Sequence, residues 1–212
     1  MLKEMPVADL NVIQWALDQG IDRLELNTNL AVGGLTPRDD LVRNVLALAQ
    51  PYAVSVVVMV RPRAGNFYYN HRETEMMLAT LKRFRALGVQ SVTFGAVTGD
   101  GYLDRATMLK LIEAAAPMQV VCHMAFDAIR FEYQEQALIW LADHGVKRVL
   151  THGGPLQVPI TKTLAHLQTL CRWAPEKMEI LPGGGITGHN YKDIVGALGV
   201  QQVHGSRILS QA

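Results

Sequence analysis

The chain has only two cysteines, Cys122 and Cys171, and they form no CxxC pair, which excludes a dithiol redox motif. Charge of one sign is missing too. Against 20 Lys and Arg stand 19 Asp and Glu, a formal net of +1. Nucleic acid and anionic membrane surfaces therefore have no electrostatic handle and are not expected as partners. Long apolar runs are also absent: the longest, Ala53 to Val60 with Ser55 interrupting it, is far too short to span a bilayer. No low-complexity tract, interdomain linker or signal peptide is recognisable. These absences predict a cytoplasmic protein whose cysteines stay reduced.

What is present points to one core. Residues 1–212 are 49% hydrophobic, enough for a single sizeable domain with no need of a second. One phrase recurs four times: a glycine, a short connection, then an apolar-rich strand ending in a polar group. Its copies begin at Gly20, Gly88, Gly145 and Gly199, spaced widely enough for two strand–helix units between successive copies. Each glycine falls where a helix should stop. The pattern predicts an α/β fold, a TIM-type (β/α)8 barrel of eight parallel strands.

Strands are expected at about Leu2 to Met5, Arg23 to Leu26, Ala53 to Val60, Ser91 to Phe94, Gln119 to His123, Arg148 to Thr151, Met178 to Leu181 and Gln201 to Val203. Asp9 reads as the N-cap of the first helix, Thr36-Pro37 as the start of the second, and Asn70 with Glu73 as a capping box for the third. Thr187 reads as the cap of the seventh. Only a few residues follow His204, so the eighth helix is missing from the pattern. Apolar surface should then be left beside strands 8 and 1, and a homo-oligomer is expected to cover it.

Chemistry in such barrels gathers at the C-terminal ends of the strands. Those ends hold Glu4, Glu25, Arg61, Arg63, His123, Asp127, Thr151, His152, Gly183 to Gly185, His204 and Ser206. Arg61 and Arg63, after the most apolar strand, suit a carboxylate or phosphate, although Arg61 could equally neutralise strand-end carboxylates such as Glu25. Gly183, Gly184 and Gly185, with Gly205 and Ser206 after strand 8, read either as an anion-binding loop or as plain turns. His123 and Asp127 could act together in proton transfer, with Glu4 and Glu25 as further acid–base groups. A His/carboxylate metal cluster is conceivable at the rim, but no ligand-spacing motif supports it.

The segments Glu25-Leu26, Gly33 to Pro37, Arg61 to Tyr69, Asp100-Gly101, His123 to Asp127 and Gly183 to Ile186 resemble the CutC family. The resemblance runs over nearly the whole chain. It implies a TIM barrel, a role in copper homeostasis through copper binding, and a site containing Glu4, Glu25, Arg61, Arg63, His123 and Asp127. Pro6 and Asn27 stand where family members commonly carry cysteines. Cu(I) would be left with Cys122 and Met124 as weak candidate ligands. The residues themselves suggest the other reading, an enzyme or sensor for a small phosphorylated or carboxylated metabolite.

Overall fold

All four repeat glycines adopt the left-handed backbone that ends a helix, with φ of +73° at Gly20, +82° at Gly88, +80° at Gly145 and +68° at Gly199. A strand follows each within a few residues. The computed structural model describes residues 1–209. In chain order its elements are β1 (Leu2–Val7), α1 (Leu10–Asp18), β2 (Arg23–Leu26), α2 (Asp39–Ala49), β3 (Ser55–Met59), α3 (His71–Ala86), β4 (Ser91–Phe94) and α4 (Arg105–Ala115). There follow β5 (Gln119–Cys122), α5 (Phe131–Asp143), β6 (Val146–Thr151), α6 (Ile160–Trp173), β7 (Glu179–Pro182), α7 (Tyr191–Leu198) and β8 (Gln202–His204).

Helix starts test the local chemistry. Asp9 caps α1 through the amides of Asn11 and Val12, and Asn70 and Glu73 make the expected reciprocal capping box on α3. Two expectations are corrected. The second helix begins at Asp39 rather than at Pro37, because the Thr36 hydroxyl is committed to the Arg61 backbone, accepting from its amide and donating to its carbonyl. Thr187 does not cap α7 either; its amide and hydroxyl both turn to the side chain of Asn190.

The strands pair in parallel in the order β7-β6-β5-β4-β3-β2-β1-β8. Among the described residues β7 and β8 share no ladder. Their seam is closed at one end by a Thr187–Arg207 bridge and at the other by Gln202 Nε2 donating to Glu179. Outward strand residues such as Leu24, Val58, Phe94 and Val149 pack against the helices in the main core. The inside is split. Val57, Val121, Leu150 and Leu181 form an apolar cluster with Met124, while β1, β2 and β8 turn Glu4, Arg23, Glu25, Gln202 and His204 inward. No helix among the described residues is long and apolar enough to cross a membrane. None follows β8, and Ile208 and Leu209 pack onto the core near that position.

A close backbone approach makes one glycine indispensable. A Cβ on Gly205 would stand 2.3 Å from the Ile186 carbonyl oxygen, whereas one on Gly88 would meet nothing within 4 Å. Gly88→Ala should therefore lose only about 1–2 kcal/mol, the penalty of a left-handed alanine. Gly205→Ala should lose distinctly more, as measured by urea denaturation. Equal losses would show that the β7–β8 loops have room to spare.

Candidate functional site

Register, rather than sequence proximity, assembles the site. Parallel pairing sets Glu4 of β1 between Arg23 of β2 and His204 of β8, and sets Pro6 beside Glu25. All of these charged residues are buried. Arg23 Nε donates to one Glu4 oxygen, and His204 Nδ1 lies 2.7 Å from the other. Glu25 accepts from Asn27 Nδ2 at 2.9 Å. Glu4, Glu25 and His204 present ligand-type atoms all within 4.8 Å of one another. Glu25 and His204 then open into a cavity of about 390 Å³, with Arg61, His123 and Met124 also on its wall.

Burial and partners set the protonation states. Burial pushes the Glu4 carboxyl up, but the His204 hydrogen bond and the Arg23 charge outweigh it and hold the value at about 2. For Glu25 burial wins, so its pKa is raised despite the nearby His204. His204 goes up as well, because Glu25 and Glu4 favour its cation more strongly than burial opposes it. Glu25 and His204 thus form a close pair that can pass one proton between them. His123 moves the other way: burial, with the Arg61 charge adding to it, drives the ring down to about 3.

Arg61 arches over the cavity wall. Nη1 donates to the carbonyls of Val32 and Gly34, and Nη2 to that of Gly65, so it ties together the loops after β2 and β3. It does not neutralise Glu25 by an ion pair. Its guanidinium lies 4.8 Å from the Phe67 ring centre, and that ring lies 5.0 Å from the His123 ring. His123 Nδ1 accepts from the Ala125 amide.

Other predicted site residues are placed elsewhere. Arg63 ion-pairs with Glu73 at the start of α3 and is not among the residues on the cavity wall. Asp127 does not reach His123. Its carboxylate accepts from the Thr151 hydroxyl and from the amides of His152 and Gly153, fastening the loop after β6. Gly184, Gly185, Gly205 and Ser206 line the cavity. Gly183 and Gly205 have other duties: their amides donate to Thr151 and Glu4 carbonyls, and a Gly183 Cβ would fall 2.7 Å from Leu150. Cys122 and Met124 are separated by the sheet itself. Cys122 lies in the outer core with its thiol pushed up to about 12 by burial and by Asp127, while Met124 joins the inner cluster.

Sequence reading missed Arg23, which is the partner of Glu4, and Phe67, which joins Arg61 to His123. The first left a trace, since Arg23 and Glu25 alternate on one strand and must face the same side. Phe67 stood within the Arg61 to Tyr69 segment that resembles the family, but only the folded loop brings it to the wall.

The CutC family signature matches residues 1–209. A CutC family protein of Enterococcus faecalis is 42% identical over 209 residues, covering 99% of this chain and 100% of that protein. The human copper homeostasis protein cutC homolog is 34% identical over 185 residues, 87% of this chain and 65% of its own length. Among solved structures, a CutC protein of Streptococcus agalactiae superposes with a TM-score of 0.94 at 34% identity, covering 98% of this chain and 99% of that one. An orotidine 5'-phosphate decarboxylase from Pyrococcus horikoshii shares the fold, with a TM-score of 0.61 at 15% identity over 97% of this chain and 89% of its own.

The buried rings make stability depend on pH in both directions. His123 sits at about 3 in the fold against an ordinary 6.5, so the unfolded chain takes up the proton first. Stability should then fall as pH drops from about 6.5 towards 3. Glu4, at about 2 against 4.5, adds a further loss below about 4.5. His204 is raised, so its contribution is complete below about 6.5 and fades as pH rises through its folded value. In urea denaturation at pH 6.5 to 4.5, His123→Gln should flatten the acid slope. An unchanged slope would place the responsible proton on another group.

Proposed function

The chain belongs to the CutC family, and from that premise we propose that it serves copper homeostasis by handling a small organic ligand rather than by holding Cu(I). The observation that carries this reading is the Glu25–His204 pair, buried and opening into a cavity large enough for a metabolite. A carboxyl and an imidazole whose proton affinities are both raised can give and take a proton. The wall beside them is largely apolar, with Met59, Met124 and Leu150 facing a ligand body. Whether the pair turns the ligand over, as in an enzyme, or only senses it, the same two groups would meet it.

Copper fits the donor atoms poorly. Cu(I) prefers soft sulfur donors. Pro6 and Asn27 supply none, Cys122 is a protonated thiol outside the barrel wall, and Met124 offers one thioether within it. Glu4, Glu25 and His204 are close enough together to invite an ion. Yet one Glu4 oxygen is bound by Arg23 and the other by His204, so a metal would have to displace a buried guanidinium.

Titration with Cu(I) against a competing chelator, alongside a thermal-shift screen of a metabolite library, separates the readings. Organic hits should raise the melting temperature, and Glu25→Gln should weaken them about tenfold or more. Submicromolar Cu(I) binding that disappears in Cys122→Ser would overturn the proposal.

The assembly is read from the outer side of α1. Gln14 and Asp18 of α1 both hydrogen-bond Tyr52, which fixes the side of α1 facing α2. Val12 and Trp15 point away from that side and are 39% and 42% exposed. We propose that this strip is covered by a second copy of the chain. Light scattering at micromolar concentration should give an oligomer, and Trp15→Asp should dissociate it. A monomeric parent protein would refute the idea.

A further inference from the structure

Arg61 narrows the chemistry of the ligand. Its side chain is 5% exposed, and its hydrogen-bond partners are the neutral carbonyls of Val32, Gly34 and Gly65. Among the described residues, no carboxylate forms an ion pair with it. A buried cation without a counter-charge is costly, so buried charges are normally paired. The Phe67 face offers only a partial substitute. Moreover, Arg61 Nε is buried with no hydrogen-bond partner, as is the Tyr69 hydroxyl, which lies close enough to feel the guanidinium.

His123 presents the same gap from the neighbouring wall. Because Nδ1 accepts from the Ala125 amide, the proton of the neutral ring must sit on Nε2. That atom is buried and unpartnered too. The charge on Arg61 and the burial of the ring both keep His123 neutral, so Nε2 stays a single-proton donor at physiological pH. Both residues line the one cavity, and both lie against Phe67. Two orphaned donors, one bearing an uncompensated positive charge, call for an anionic acceptor with two lone-pair sites.

A carboxylate meets that need with one negative charge for one guanidinium. A phosphate monoester would bring up to two charges and three acceptor oxygens beside the Glu25 carboxyl. The amides of Gly183 and Gly205 are already bonded to protein carbonyls, so a larger anion would have to draw on the amides of Gly184, Gly185 and Ser206 instead. The two orphaned side-chain donors suffice for a carboxylate. We infer that the ligand is a small carboxylic acid, held by Arg61 Nε and His123 Nε2, whose body lies against Met124 and Leu150 within reach of Glu25 and His204. This rests on the reading of the cavity as an organic-ligand site.

Protein carrying 15N-labelled histidine can be titrated with propanoate, with the neutral isostere propanamide and with inorganic phosphate. Propanoate should move the His123 Nε2 resonance and raise the melting temperature, and at equal concentration the other two should not. His123→Gln keeps an N–H donor and should retain binding, whereas His123→Phe should lose about tenfold or more. Melting curves without ligand establish that each variant is folded. If propanoate shifts His204 and His123→Phe binds it unchanged, the clasp is wrong while the organic-ligand cavity stands. Binding of phosphate in place of propanoate overturns the carboxylate class alone. If no organic probe moves either ring while Cu(I) binds tightly, both readings fail.

Discussion

The buried carboxylate of Glu4 is the constraint on which the polar half of the barrel depends. Arg23 and His204 each take one of its oxygens, and Arg23 continues to Gln202, which in turn reaches Glu179. Removing one member of such a network would leave a charge buried without its partner, which is far more damaging than never having had the pair. The network also spans the seam where β7 and β8 lack a ladder. Side chains there do work that backbone hydrogen bonds do elsewhere around the sheet.

The same carboxylate tunes the chemistry next to it. By holding His204 through Nδ1, it fixes that ring in place and favours its cation, which leaves Glu25 as the buried carboxyl with no cation directly bonded to it. The barrel interior can therefore be divided between two tasks. Val57, Val121, Leu150 and Leu181 fill it as a packed core, while β1, β2 and β8 convert the remaining side into a charged wall facing the cavity. Arg61 and His123 stand on the cavity wall as well, so acid–base groups and orphaned donors meet across one small space.

Fixing the rim falls to charged residues bonded to the loop backbone and to one another. Asp127 fastens the loop after β6, the Arg63–Glu73 pair joins the loop after β3 to α3, and Arg61 binds the carbonyls of two loops. Three charged residues that look catalytic in a list of strand ends are, wholly or in part, fasteners. A polar strand-end residue satisfies loop carbonyls and amides as readily as it meets a ligand, because both present the same hydrogen-bonding groups.

Much of the architecture was legible in the chain. Glycines at helix ends, apolar strands of parallel type and the Asn70–Glu73 capping box are local signals, set by backbone sterics and by hydrogen bonds within a few residues. They determined the barrel, the order of its elements and the end at which polar residues gather. Partnership between charges was not local. Glu4 meets His204 across the closure of the barrel, strand register sets Arg23 beside Glu4, and Cys122 and Met124 part company because β5 ends at Cys122 and the chain turns into a short 3-10 helix at Met124. Sequence thus decided which chemical groups the rim would contain. Only the closed barrel decided which of them would be spent on one another and which, like Arg61 Nε and His123 Nε2, would be left without a partner.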